Sequence, residues 1–387
     1  MRLSVLLPTR NGGALLHDCM KSVLDQPYED MELIVSDNAS EDETRDVLAD
    51  FDDRRLKVAR LDEPIPVTDN WNRALARSTG DYLLLIGDDD YLLPNYFERV
   101  DALLREFDDP DCLSYEAYAF AYPGALPGSD EGHYADPLFP PDPALPSHGL
   151  IPRAVRRDFA RDVFRFHYRF CLNLQTTLVA RRAMERMRNG LFRPPFPDFY
   201  ALIALMLLTD RWAYSDERLV IVGVSPKSFG RTLHRGGQDA GIRAQGMDYL
   251  GISTDFEGQL PGNEMVNGTY LSLTELKRDY GPELAGIDVS RGDYVSHQVY
   301  NWFMRWRLGW LRAAEVRRML RLLRPRDWAA MSVALARRLS PALVRERLRV
   351  NREAPAEEFM PGMRRAPGVE SIAGLARWLE SNGTAVG

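Results

Sequence analysis

The first hundred residues alternate between short apolar runs and stretches whose apolar residues have helical spacing. The apolar runs predict strands, and the stretches between them predict helices. Strands that alternate with helices form parallel sheets with right-handed crossovers. We therefore expect an α/β fold, with a Rossmann-like, mostly parallel sheet flanked by helices. The predicted strands cover residues 3–9, 31–38, 56–61 and 81–87.

Capping and helix-terminating residues indicate where the helices begin and end. Ser40 with Glu43 three residues later is a capping-box pattern for the second helix, and Gly80 is expected to stop the third, over 67–79. Farther along, residues 123–152 are rich in Pro and Gly and predict a long irregular loop, which is usually functional. The remaining predictions are helices over 95–107 and 154–168 and strands over 173–180 and 219–225.

Composition separates two parts of the chain. Residues 301–387 hold 17 basic and 8 acidic side chains, whereas the first 300 hold 32 and 48, within a net charge of −7. Three widely spaced cysteines (Cys19, Cys112 and Cys171) predict reduced thiols in a cytoplasmic protein. No apolar run is long enough to predict a membrane span, and the first residues read as a strand rather than a signal peptide.

Polar clusters lie at the carboxyl ends of three of the predicted strands. They are residues 8–11 (Pro-Thr-Arg-Asn), Asp37 with Asn38, and the run Asp88-Asp89-Asp90. In open parallel sheets, ligands bind beyond the carboxyl ends of the strands. An edge rich in carboxylates suits a divalent cation that carries phosphate oxygens. The alternative for the acidic run is a solvated turn that caps the next helix.

These segments resemble a known family. The stretches "LSVLLPTRN", "ELIVSDNASEDET" and "GDYLLLIGDDDYLLP" occur in the order found in the family-2 glycosyltransferases, which have the GT-A fold. The resemblance covers residues 1–110, and more weakly 170–235. It implies an inverting enzyme that transfers a hexosyl or N-acetylhexosaminyl group from a nucleotide sugar, most often a UDP-sugar, with Mn²⁺ or Mg²⁺ as cofactor.

The resemblance also implies roles for individual residues. Asp37 matches the acid that binds the base, and Asp89 matches the metal ligand. Asp88 is expected on the ribose or sugar side and is a second candidate for the metal. Gly87 departs from the family, because many members have an acid there. The other residues expected around the nucleotide sugar are Pro8, Thr9, Arg10, Asn11, Asn38, Asn72 and Arg73.

Two later segments complete the implied site. Asp198, before an apolar helix, stands where the family has its general base, although Pro197 replaces the usual partner acid; the alternative is that Asp198 only caps the helix. The basic, Gly-containing loop after the last strand offers Lys227 and Arg231 to the diphosphate. His234 in that loop is either a metal ligand or a solvated surface residue.

The basic C-terminal region has three interpretations. Its interleaved Arg and Trp residues are typical of helices packed on the catalytic domain, of helices that lie on an anionic membrane, or of a surface for a polyanionic acceptor. No nucleic-acid-binding module is recognisable. We expect a catalytic domain over 1–235, with halves 1–110 and 111–235, a connecting segment over 236–294 and a basic helical region over 295–387.

The expected partners are a nucleotide-sugar donor and a carbohydrate or lipid-linked acceptor. The protein is expected in the cytoplasm, with contact to the inner face of the membrane and oligomerisation left open. A different class of function is also open: a degenerate domain of the same fold that binds or scaffolds without catalysis. A Rossmann dehydrogenase is disfavoured, because no GxGxxG follows the first strand.

Overall fold

The computed structural model describes residues 1–126, 128–169, 171–228, 256–338 and 362–382. The N-terminal part alternates strands and helices, as the sequence predicts. Its elements are β1 (Leu3–Thr9), α1 (Gly13–Leu24), β2 (Met31–Asp37), α2 (Thr44–Ala49), β3 (Leu56–Arg60), α3 (Val67–Leu75) and β4 (Tyr82–Leu85).

The four strands of this part are parallel, in the order β4–β1–β2–β3. All seven residues of β2 and all four of β4 are buried. Strands covered on both faces by helices are buried along their whole length in this way. The topology brings the carboxyl ends of β1, β2 and β4 to one edge of the sheet.

The central part adds shorter elements around two long strands. They are β5 (Tyr91–Leu92), α4 (Tyr96–Glu106), β6 (Cys112–Ala121), β7 (His133–Ala135), β8 (His148–Leu150), α5 (Arg153–Phe164), β9 (Thr177–Ala180), α6 (Arg181–Met184), α7 (Pro197–Leu208) and β10 (Trp212–Val224).

All eleven strands of the described residues belong to one sheet, which confirms the α/β fold class. The expectation of a mostly parallel sheet holds for β1 to β4 and for the long pair β6–β10, whereas the shorter ladders around them are antiparallel. β9 runs antiparallel to β4 and β6, and β10 is parallel to β6 but antiparallel to β5 and β8. Antiparallel pairing needs no crossover helix, so the helix–strand alternation of the first hundred residues does not extend to these strands.

Several local predictions also need correction. The expected irregular loop over 123–152 contains the short strands β7 and β8. The strand predicted over 219–225 begins at Trp212. Ser40 does not cap α2, which begins at Thr44, because the Ser40 hydroxyl donates to the carboxylate of Asp37 instead.

The C-terminal part is helical but returns to the sheet. It consists of α8 (Glu264–Asp279), α9 (Arg291–Arg307), α10 (Ala313–Leu320), α11 (Pro325–Arg338), β11 (Arg364–Arg365) and α12 (Ile372–Ser381). β11 pairs with β7 at the sheet margin, and α12 buries Ile372, Leu375 and Leu379 in an apolar cluster with Phe120. No helix of the described residues is both long and apolar enough to cross a bilayer.

Glu32 joins the strands of the parallel sheet near their amino ends. Its side chain is 1% exposed and accepts hydrogen bonds from Ser4 Oγ at 2.7 Å and Lys57 Nζ at 2.6 Å. Burial alone would raise the pKa of this carboxyl, but the hydrogen bonds from Lys57, Ser4 and Thr79 outweigh it and lower the pKa to about 2.

Arg156 of α5 is fully buried and supports the carboxyl end of α7. Its guanidinium donates to the carbonyl oxygens of Met206, Thr209 and Asp210, at 3.1, 2.7 and 3.0 Å. Helix carbonyls at this end lack partners within their own helix, so Arg156 satisfies them from a neighbouring element.

Candidate functional site

The carboxyl ends of three strands meet at Thr9. Its hydroxyl donates to Asp88 Oδ2 at 2.5 Å, beyond β4, and its carbonyl accepts from the backbone amide of Asn38 at 2.9 Å, beyond β2. Pro8 precedes Thr9 in β1, opposite Ser36 of β2, and Arg10 follows it, partly buried. The three polar clusters of the sequence therefore lie side by side.

Asp90 holds the acidic turn in shape. It is 2% exposed, and its carboxylate accepts from the backbone amides of Gly87 at 2.7 Å and Gly223 at 2.9 Å. Both of its oxygens are used within the fold, so Asp90 is a structural member of the acidic run. A side chain at Gly87 would place its Cβ 2.9 Å from Asp89 Oδ1, so the Asp89 carboxylate would have to move aside.

Asp89 contacts the end of β10, which sequence reasoning did not link to it. Its Oδ2 accepts from Ser228 Oγ at 2.7 Å and from the backbone amide of Ser225 at 3.3 Å. The backbones come so close that a Cβ at Gly223 would lie 1.9 Å from the Asp89 carbonyl oxygen. Neither serine belongs to a recognisable motif, and more than 130 residues separate them from Asp89, so only the fold reveals this contact.

Burial and mutual repulsion raise the pKa values of the acidic turn. The pKa of Asp88 is raised to about 7, by burial first and then by the charge of Asp89, while the Thr9 hydrogen bond and Lys227 oppose the shift. The pKa values of Asp89 and Asp90 are also raised, in both cases chiefly by burial. Asp88 and Asp89 nevertheless keep partial exposure to solvent. Carboxylates that are surrounded by protein and still reachable by water are typical of a cleft.

Asp37 lies at the end of β2 with one oxygen paired and one not. Its Oδ1 accepts from the Ser40 hydroxyl at 2.5 Å and the Ser40 amide at 3.0 Å. Its Oδ2 is buried and has no hydrogen-bond partner among the described residues, although Arg60 Nη1 lies 3.4 Å away. Buried acceptors without a partner are rare in folded proteins, so each needs an explanation.

The loop after β1 is tied to the loop after β2. The Asn11 amide donates to Ser40 Oγ at 2.8 Å, and Asn11 Oδ1 accepts from the Glu41 amide at 2.8 Å. Lys227, beyond β10, reaches this loop and donates to the Asn11 carbonyl at 2.8 Å. Arg231 and His234 lie outside the described residues.

Three predicted nucleotide contacts have bonds within the protein. The side-chain amide of Asn38 makes two bonds with the Ile65 backbone, at 2.8 and 2.9 Å. Arg73 donates to the Ala59 carbonyl at 2.8 Å, and Asn72 donates to the Phe192 carbonyl at 3.1 Å. These bonds fasten α3 and the surrounding loops, and roles of these three residues toward a nucleotide stay predictions.

Asp198 lies in the first turn of α7. Phe196 occupies the N-cap position and Pro197 the first helical position, so Asp198 is not the N-cap residue itself. Its carboxylate nevertheless accepts from backbone amides of the first turn, so a structural role at this helix end and the role of general base both stay predictions. The side chain is exposed, yet the surrounding protein raises its pKa by desolvation. No hydrogen bond or ion pair within the described ranges joins Asp198 to the acidic turn.

The donor set of the acidic turn fits a divalent cation. Within the part of the chain that the structure describes, no group of three or more His, Cys, Asp or Glu side chains could hold a metal ion. Magnesium sites in phosphate-transferring proteins need only one or two carboxylates, because substrate phosphates and water complete the shell. The adjacent carboxylates of Asp88 and Asp89 match that smaller requirement, and a cation would relieve their repulsion.

Comparison with known proteins agrees with the N-terminal part of this architecture. A glucosyltransferase of Campylobacter jejuni, named GalNAc(5)-diNAcBac-PP-undecaprenol beta-1,3-glucosyltransferase, is 36% identical over 95 residues, which is 24% of this chain and 31% of that protein. A PGL/p-HBAD biosynthesis glycosyltransferase of Mycobacterium bovis is 36% identical over 114 residues, 28% of this chain and 44% of that one. The chain thus spans less than half the length of these relatives.

A solved structure and a family model complete the comparison. The S. aureus TarS fragment 1–349 in complex with UDP-GlcNAc superposes with a TM-score of 0.48 and 16% identity, covering 80% of this chain and 92% of that one. The family model described as "Glycosyl transferase family 2" matches residues 4–120, which include β1 to β4 and the acidic turn. Residues 4–120 of this chain thus match glycosyl transferase family 2, and the match covers about a third of the chain.

Proposed function

We propose that the protein transfers a sugar from a nucleotide-diphosphate donor, a UDP-sugar, to a hydroxyl of a carbohydrate or lipid-linked acceptor, with inversion. The observation that carries the proposal is the meeting of three strand ends at Thr9, which touches both Asp88 and the backbone of Asn38. The edge formed there is where open α/β sheets bind nucleotides. The three cysteines are unpaired and buried, which agrees with a reaction in the cytoplasm.

Asp37 is the proposed contact for the base. Uracil presents one N–H donor between two carbonyl groups, so it pairs with a carboxylate oxygen that has no other donor. Asp37 Oδ2 meets this requirement, because it accepts no hydrogen bond within the described residues and has only the ion pair with Arg60 at 3.4 Å. A bound base would explain why this buried acceptor has no hydrogen-bond donor in the part of the chain that the structure describes.

Asp89 is the proposed ligand for Mn²⁺ or Mg²⁺, with Asp88 as a second ligand or a contact to the ribose. A divalent cation supplies positive charge against the charge that develops on the departing diphosphate. Lys227, which the structure places beside the loop after β1, is the proposed protein cation for the same phosphates. Arg231 and His234 stay predictions for this role and for the metal.

Asp198 is the proposed general base. The acceptor oxygen forms a bond to the anomeric carbon as the bond from that carbon to the diphosphate breaks, and the electron pair leaves with the nucleotide. The hydroxyl proton passes to the Asp198 carboxylate. The raised pKa of Asp198 makes this carboxylate a better proton acceptor than a fully solvated one.

The nature of the acceptor rests on the relatives. The Campylobacter protein is named for glucosyl transfer to an undecaprenol-linked glycan, and the mycobacterial one for PGL/p-HBAD biosynthesis. We extend this class to the present chain, as a hexosyl- or N-acetylhexosaminyltransferase in the biosynthesis of glycans or glycoconjugates.

Nucleotide release tests the proposal. The protein is incubated with UDP-sugars and Mn²⁺ or Mg²⁺, and free UDP is measured with and without EDTA. We expect release that EDTA abolishes, and a drop of at least a hundredfold in Asp198→Asn with UDP binding retained. Glu185→Gln, an exposed acid after α6, is the control and should keep full activity. If UDP binds but no sugar donor is ever turned over, the domain is a binding or scaffold module.

A further inference from the structure

The helices α9 and α11 and the segments on either side of α10 expose large apolar side chains. Trp306, Trp310 and Trp328 are 45%, 52% and 42% exposed. Only two exposed large apolar residues of the described chain, Val58 and Leu150, lie elsewhere. Six of the exposed side chains in this region form one set: Trp306, Trp310, Leu322, Trp328, Val333 and Leu335. Together with the exposed arginines Arg317, Arg318, Arg321 and Arg324, we call them the Trp–Arg surface.

The outer face of α11 is the clearest part of this surface. Between Asp327 and Arg337 the helix has no charged residue. Met331 and Ala334 face inward and are buried, whereas Trp328, Val333 and Leu335 face solvent with Ala329, Ser332 and Ala336. A surface helix normally turns charged residues outward. A helix that is apolar on both faces needs something to cover its outer one.

The charge around this face is strongly positive. Residues 300–336 contain eight arginines, no lysine and only two acids, in a chain whose net charge is −7. Asp327 is buried against Arg291, at 3.0 Å. Four exposed arginines form no ion pair within the described residues, namely Arg317, Arg318, Arg321 and Arg324. The partner that covers this surface should therefore carry negative charge and also provide an apolar layer that the exposed side chains can enter.

We propose that the Trp–Arg surface docks on a lipid bilayer with anionic headgroups. Tryptophan is favoured where headgroups meet acyl chains, and arginines near a bilayer are attracted to anionic lipid. Leu322, Val333 and Leu335 would enter the acyl boundary while the arginines contact phosphates. A polyanion without acyl chains would leave these three side chains in water.

The helices of this surface are linked to the candidate site. α8 packs against α7, which carries Asp198, and α9 packs against α8, α10 and α11. Tyr200 of α7 donates to Asp279 of α8 at 2.8 Å. Docking would therefore tether α7, which carries the proposed base Asp198, to the membrane through α8 and α9. The docking itself does not depend on the proposed function, and it would extend that function by favouring an acceptor held in the bilayer.

Vesicle co-sedimentation of the full chain tests the proposal. Vesicles of phosphatidylcholine alone are compared with vesicles that also contain phosphatidylglycerol, at low and high NaCl. We expect binding only to the anionic vesicles and a loss of binding in high salt, because salt screens the arginine charges. Arg317→Ser with Arg318→Ser should weaken binding about fivefold per arginine. Trp328→Glu with Leu335→Glu should weaken it roughly tenfold or more.

Val58→Glu is the matched control, because Val58 is 46% exposed but lies on β3; its binding should equal that of the unmodified protein. Equal binding to neutral vesicles, or none to either kind, overturns the proposal. Light scattering that shows a dimer dispersed by Trp328→Glu with Leu335→Glu, with vesicle binding unchanged, assigns the surface to a second copy. A sharp fall in Tm for that variant means that the chain covers this face itself. Either result also overturns the proposal.

UDP release with a water-soluble acceptor separates this idea from the proposed function. The surface variants should keep that activity while they lose vesicle binding. The Asp198→Asn variant, by contrast, should lose activity and bind vesicles as the unmodified protein does.

Discussion

Asp90 Oδ1 accepts a hydrogen bond from the backbone amide of Gly223 at 2.9 Å, so the acidic turn after β4 is fastened to β10. The same carboxylate holds the Gly87 amide through its other oxygen. Asp89 reaches Ser225 and Ser228 through this arrangement. The position of the proposed metal ligand therefore depends on a neighbour that contacts no substrate.

The first prediction concerns this fastening. In Asp90→Asn an amide NH₂ replaces one acceptor oxygen, so one backbone amide loses its partner. We expect a loss of about 1–3 kcal/mol in unfolding free energy and weaker metal-dependent UDP binding. Urea unfolding and calorimetry measure the two effects. Asp52→Asn, at an exposed position, should change neither quantity. If Asp90→Asn gives the same result as this control, the hydrogen bonds of Asp90 contribute nothing to stability or to UDP binding.

The second prediction is a pH dependence of the metal-free protein. The pKa of Asp88 is about 7 in the fold and about 3.9 in an unfolded chain. Between these values the folded state binds more protons, so stability falls as pH rises from about 4 to about 7. We expect Tm in EDTA to decrease over this range, and Asp88→Asn to flatten the decrease. Mn²⁺ with UDP should restore Tm at neutral pH, since ligands of the ionised form stabilise it. A Tm that rises with pH in EDTA would contradict the assignment.

The third prediction has the opposite sign. The pKa of Glu32 is lowered to about 2 in the fold and is about 4.3 when unfolded. The unfolded state binds more protons between these values, so the stabilisation is complete above about pH 4 and is lost as pH falls toward 2. Glu32→Gln should cost about 2–4 kcal/mol at neutral pH and remove this acid-sensitive part. Acid titration followed by circular dichroism would show it, with exposed Glu185→Gln as the unaffected control.

The fourth prediction concerns Arg156. In Arg156→Met the carbonyls of Met206, Thr209 and Asp210 lose a buried donor, which should lower unfolding free energy by about 3 kcal/mol. Urea unfolding measures the change. Arg153→Met, an exposed arginine in the same helix, should have almost no effect. Similar losses in both variants would mean that α5 tolerates no methionine, rather than that the carbonyls need Arg156.

The sequence predicts the parallel strands well, because polar and turn-forming residues next to each strand in the chain mark where it begins and ends. β2 and β3 end within one residue of the predicted positions. Predictions failed where a side chain had a tertiary partner. Ser40 has the spacing of a helix cap, but its hydroxyl is used by Asp37, and nothing local signals that preference.

The candidate site was likewise predictable only in part. Asp37, Asp88 and Asp89 follow strands and could be identified from that position. Ser225 and Ser228 could not, because their contact with Asp89 depends on how β10 crosses the sheet. The structural role of Asp90 was also hidden, since it requires the backbone amide of Gly223.

The return of β11 and α12 to the sheet has a consequence for how the protein is made. The apolar cluster of Phe120, Leu375 and Leu379 joins residues that leave the ribosome more than 250 positions apart. The apolar face of β6 and β7 therefore stays exposed until residues 362–382 have been synthesised. A nascent chain that stalls before this point would present that face to chaperones, and a stop codon there would affect solubility, although every candidate catalytic residue lies upstream.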